Sequence, residues 1–314
     1  MSDFFAGFPL EFIALPEATL RVRHGGAGAP VLLLHGHPRT HATWHRVAPR
    51  LARRHTVVCP DLRGYGASSK PATRPGHAQQ SKGAMAADCV ALMRRIGHER
   101  FAVVGHDRGA TEGLRAALDH PGSVRRLAVL DAVPIAEALD RCDAGFAQAW
   151  WHWFFYAQPD RPERAIDADP DAWYGNTPEK RQRMGEAACA DYRAAIGDPA
   201  TVHAMLEDYR AGLGIDRAHD EADRRAGRRS PVPSCCCGPA TTTCSACTAT
   251  RWRSGGPGRT TCAATRCPAD TTWPRNCRSG SRGNCSTSWP EAGRPEAPGS
   301  QWSFRARSRA APRG

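Results

Sequence analysis

Asp107 lies between two glycines in Gly105-His106-Asp107-Arg108-Gly109, directly after the apolar run Phe101-Ala102-Val103-Val104. The pattern reads as a buried strand, a sharp turn and a helix, with the central residue of G-x-Nu-x-G exposed as a nucleophile. A carboxylate at that point favours attack on an alkyl carbon over the acyl transfer typical of serine. A second acid, Asp131, follows another apolar run, Leu127-Ala128-Val129-Leu130. The loop His35-Gly36-His37-Pro38 ends the run Val31-Leu32-Leu33-Leu34 and stands where a backbone amide can face the nucleophile, although on its own it also reads as a strand-ending turn. Asp61-Leu62-Arg63-Gly64-Tyr65-Gly66 reads as a structural tight turn that needs glycine. His106 flanks the nucleophile and reads as a packed elbow residue, not as a base.

The elements that must carry these residues are those of an α/β protein. Val31 to Leu34 and Thr56-Val57-Val58-Cys59 are short apolar runs bounded by turn residues, as buried strands are. Residues 101–104 and 127–130 repeat the pattern, and a helical stretch covers 84–96. This alternation predicts a mostly parallel sheet flanked by helices, built by residues 1–134. From about 135 the strand runs stop, and aromatic-rich, amphipathic segments predict a helical cap over 135–229. The N-terminus has no basic leader and no long apolar run, which predicts a cytoplasmic protein without a membrane span.

At about Ser230 the composition changes. Residues 231–314 contain no Leu, Ile, Met or Tyr, and hold twelve Arg against three acids, hence nine of the twelve net positive charges. Nine of the 13 cysteines fall between Cys235 and Cys285. Such a segment cannot build a core, because apolar burial is what offsets chain entropy. A frameshift explains the change better than a natural disordered tail. Reading each codon one base earlier permits Leu-Leu-Leu-Trp for Cys235 to Gly238, and a Gly-His turn followed by an amphipathic helix around Asp270 to Cys277. These are the pieces that would finish an α/β core, so 230–314 reads as an out-of-frame, disordered tail, with the last core strands and helix missing.

Together, residues from about 10 to 229 resemble the α/β-hydrolase superfamily, and more narrowly the haloacetate (fluoroacetate) dehalogenases. The resemblance rests on Gly105 to Gly109, Leu130-Asp131-Ala132-Val133-Pro134, Trp151-His152-Trp153-Phe154-Phe155 and Asp208-Tyr209-Arg210-Ala211-Gly212. It implies that Asp107 displaces halide from the α-carbon and becomes an ester. A histidine oriented by Asp131 then activates water to hydrolyse that ester. It implies further that Arg108 holds the substrate carboxylate, that His152, Trp153 and Tyr209 receive the halide, and that His35, Gly36 and His37 form the loop facing the nucleophile. No cofactor or metal is implied. Without the resemblance, Trp150 to Tyr156 would read as core packing and Arg108 as an ion-pair partner.

Two departures stand out. Thr111 occupies a position where relatives often carry a second carboxylate-binding arginine, and whether Arg115 replaces it is open. No histidine follows His219, so the expected base is missing and the chain as written reads as inactive. The runner-up is an epoxide hydrolase, which also uses an elbow aspartate. A basic tail suggests nucleic-acid binding, but this one lacks lysine and any recognised module. Cys244-Ser245-Ala246-Cys247 is one C-x-x-C without a partner pair or histidine, too little for zinc. The expected partner is therefore a small haloacid, with no nucleic acid and no membrane; a homodimer is compatible with the sequence.

Overall fold

The computed structural model describes residues 4–237. Among these residues, seven strands form one sheet in the order β1-β2-β4-β3-β5-β6-β7. β1 (Leu10–Ala14) and β2 (Thr19–Gly25) are antiparallel, and β2 runs antiparallel to β4 (His55–Pro60). From β4 through β3 (Ala29–Leu34), β5 (Phe101–His106), β6 (Val124–Leu130) and β7 (Ser234–Cys237) all pairs are parallel. The central strands are continuous apolar runs because both faces are covered. On β3 the side chains alternate between two cores. Leu32 and Leu34 join the larger cluster with Val103, Leu127 and Met93, while Val31 and Leu33 pack with Trp44, Val57 and Phe8.

The short α1 (Ala48–Leu51), then α2 (Lys82–Arg95) and α3 (Arg108–Asp119), belong to this layer structure. From Ile135 to Arg225 every regular element is helical: α4 (Ile135–Asp140), α5 (Ala144–Ala149), α6 (Trp151–Tyr156), α7 (Arg161–Ala168), α8 (Pro170–Trp173), α9 (Pro178–Met184), α10 (Glu186–Ile196), α11 (Pro199–Ala211) and α12 (Arg217–Arg225). A π-helical turn, Gly212–Asp216, joins α11 to α12. α11 is buried along most of its length, and its Tyr209 packs in the same cluster as the sheet residues Leu34 and Val103.

One expectation needs correcting. The sequence places the start of the tail at 230, yet Ser234–Cys237 pairs with Leu127–Leu130 as a further parallel strand. Strand pairing is made by backbone groups, so Ser-Cys-Cys-Cys can extend an open sheet edge despite its poor apolar content. The rest of the expected tail, including the out-of-frame reading and the cysteines from 244 onward, lies outside the described residues. No helix among the described residues is long and apolar enough to cross a membrane.

Candidate active site

Asp107 follows β5 and stands at the N-cap of α3 with φ 53° and ψ −119°, a backbone conformation that L residues rarely adopt. Close packing on both sides requires glycine there. A Cβ on Gly105 would stand 2.3 Å from the Gly109 carbonyl, and one on Gly109 would stand 2.3 Å from the His35 carbonyl. Gly36 lies against the carboxylate itself: its Cβ would meet Asp107 Cβ and Oδ1 at 2.4 Å. That approach lets the His37 backbone N–H donate to Asp107 Oδ1 at 2.8 Å. One carboxylate oxygen is thereby held by an amide.

His35 and His37 have different surroundings. His35 is fully buried. Its Nε2 accepts from the Leu62 N–H at 3.1 Å, so its Nδ1–H donates to the Gly36 carbonyl at 3.0 Å. Burial lowers its pKa to about 4. Both nitrogens are engaged, so His35 joins two loops and offers nothing to a substrate. The His37 ring stands among Tyr156, Tyr174 and Tyr209 at centroid distances of 5.3, 5.5 and 5.1 Å. Burial, with Arg108 nearby, lowers it to about 3.

Arg108 follows Asp107 and is 3% exposed. Its guanidinium is not a free fork. Nε donates to Asp208 Oδ2 at 3.0 Å, and Nη2 donates to Asp208 Oδ1 and to the Asp208 carbonyl, each at 2.8 Å. Tyr209 lies under the plane, 4.5 Å from Cζ to the ring centroid. Lys82 Nζ at 2.6 Å and the Tyr65 hydroxyl at 2.7 Å also donate to the Asp208 carboxylate. Burial opposes charge on Asp208, but Arg108 and Lys82 together hold it below the usual carboxylate range.

The proposed halide residues come from two cap helices. His152 on α6 and Tyr209 on α11 are in edge contact at 6.2 Å, with Tyr156 at 5.7 Å from His152 and 5.0 Å from Tyr209. Burial lowers the His152 pKa, against the pull of the Asp107 charge, so its imidazole is neutral and carries an N–H. Burial, Asp107 and Asp208 push the Tyr209 phenol up, which keeps its O–H. Trp153 is buried, and its ring contacts go to Phe146 and Trp150. Asp131 sits just past β6 with φ 52°. The Leu130 carbonyl accepts from the Asp107 N–H at 3.0 Å, so both acids leave the same end of the sheet on neighbouring strands.

Arg115 does not stand in for a second arginine. It pairs with Asp223 and, at 3.0 Å, with Asp119. Thr111 donates to the Arg108 carbonyl at 2.7 Å and, with Arg115 and Asp216, lines a small cavity beside α3. Sequence reasoning passed over Asp208, Lys82, Tyr65 and Tyr156. Asp208 adjoins Tyr209 in a motif already singled out. Lys82 carried no signal, since a lysine opening an amphipathic helix reads as a solvated charge.

Residues 29–168 match the family described as the alpha/beta hydrolase fold. The chain is 44% identical over 244 residues to a fluoroacetate dehalogenase from Burkholderia sp, covering 73% of this chain and 77% of that protein. It is 32% identical over 202 residues to a soluble epoxide hydrolase from Corynebacterium sp. (strain C12), covering 61% and 68%. Among solved structures it is similar to a candidate alpha/beta hydrolase from Nostoc sp PCC 7120, with TM-score 0.75, 41% identity and coverage of 79% and 88%. A candidate epoxide hydrolase from Pseudomonas aeruginosa gives TM-score 0.69 at 45% identity, covering 75% and 80%. The elbow, the parallel sheet and these likenesses agree: the chain belongs to the α/β-hydrolase family.

Proposed function

We infer that the site is built for dehalogenation of a small 2-haloacid through an aspartyl ester. Asp107 Oδ2 attacks the α-carbon, the carbon–halogen bond breaks, and the halide leaves with the bonding pair. The carboxylate of Asp107, held by the His37 amide and acting electrostatically on both the His152 imidazole and the Tyr209 phenol, is the observation that carries the reading. Donors fixed in a dry site stabilise a leaving anion because they need no reorganisation. The likeness to a fluoroacetate dehalogenase supports it. The same His37 amide then polarises the ester carbonyl for attack by water.

That second step needs a base. In the resemblance it is a histidine after the cap, oriented by Asp131, and no histidine follows His219. The chain as written is therefore expected to alkylate once and stall. A second reading is ester formation with an epoxide, for which cap tyrosines donate to the epoxide oxygen. It is favoured by the buried Tyr174 hydroxyl, which has no hydrogen-bond partner among the described residues. Incubation with fluoroacetate, followed by ¹⁹F NMR, separates the two. One fluoride per chain supports dehalogenation. No fluoride, with opening of a competing epoxide, leaves the epoxide reading.

A further inference from the structure

We propose that Asp208 is a positioning residue that fixes Arg108 so that only its Nη1 edge meets the substrate carboxylate. This rests on the reading of Arg108 as the carboxylate residue. Asp208 is fully buried and accepts from Arg108 Nε and Nη2, Lys82 Nζ and the Tyr65 hydroxyl. Its backbone carbonyl takes the remaining Nη2 hydrogen. Nη1 is thus the guanidinium nitrogen without a hydrogen-bond partner among the described residues.

The plane of the group is fixed as well. Tyr209 lies 4.5 Å below it, and a Cβ on Gly212 would stand 3.1 Å from Nη2 and 3.6 Å from Nη1. A guanidinium clamped on two edges and one face loses little freedom when it binds an anion. Neither Arg115 nor Thr111 adds a second guanidinium, since Arg115 is paired elsewhere and Thr111 turns to the Arg108 carbonyl, and the Lys82 ammonium is paired with Asp208. Orientation of the one free edge is then what distinguishes a carboxylate from a neutral amide of the same shape.

Acetate and acetamide are the probes, titrated by NMR against the full chain. The informative variant is the double exchange Lys82→Met with Asp208→Asn, which removes one charge of each sign and leaves Arg108 in place. Loss of a charge-assisted orienting pair predicts about tenfold weaker acetate binding, with acetamide unchanged. Asp208→Asn alone adds net positive charge, so weaker acetate binding there too indicates orientation, while tighter binding indicates that Asp208 merely screens Arg108. The proposal is overturned if the double variant, with a cooperative melt, binds acetate as the parent does, or if both probes weaken equally. It is equally overturned if the parent shows no saturable acetate binding. Single-turnover labelling of Asp107 by fluoroacetate adds the kinetic split: the half-saturating concentration should rise more than the limiting rate falls. If acetate discrimination behaves as stated and fluoroacetate never labels Asp107, the dehalogenase reading fails and the positioning role stands.

Discussion

At the residue scale the account depends on one carboxylate and the amide that holds it. Asp107→Asn removes the nucleophile while keeping a side chain that tolerates φ 53°. It should fold and take up no substrate carbon, as intact-mass spectrometry would show; covalent labelling of that variant at position 107 would disprove the assignment. Gly36→Ala is a sharper probe, because the new methyl would lie 2.4 Å from Asp107 Oδ1 and must displace it. A shift of that size at the attacking group should slow labelling by about a hundredfold. An unchanged labelling rate would show that the loop is looser than the packing implies. Asp107 was legible from two glycines and a preceding strand, because the elbow is a local backbone problem. The saturation of Arg108 was not, since its partner Asp208 is 100 positions away.

At the element scale, α2, α3 and α11 share a buried polar seam. Glu112 on α3 accepts from the Cys89 thiol at 2.9 Å, and burial raises its pKa to about 7, against the attraction of Lys82. The folded chain therefore keeps this proton above the ordinary value of 4.5. The resulting stability is complete below about pH 4.5 and is lost as pH rises to about 7. Glu112→Gln removes the titration. Urea unfolding should show the variant gaining on the parent between about pH 4.5 and about pH 7. A stability difference independent of pH would refute the raised pKa. The parallel strands were readable as continuous apolar runs. β1 and β2 were not, because β2 buries only Leu20 and Val22 between half-buried Thr19, Arg21 and Arg23. β7 was missed because composition argued against it, while the open edge of β6 supplied the pairing.

At the scale of the whole molecule, the core supplies the proposed nucleophile Asp107, the His37 amide and Arg108, and the helical segment supplies His152, Tyr209 and Asp208. The proposed first half-reaction draws on these described residues. The second needs a base that the resemblance places after the cap. Incubated with fluoroacetate, the chain should accumulate one ester per molecule on the peptide that contains Asp107, with no glycolate formed over repeated cycles. Fluoroacetate is the suitable reagent because a more reactive haloacid would also alkylate the exposed Cys142 thiol. Peptide mapping by mass spectrometry after that incubation is therefore the most direct test of Asp107 as an alkylatable nucleophile. An ester at Asp107 and nowhere else is the predicted result; an unmodified Asp107, or sustained glycolate release, would contradict the account.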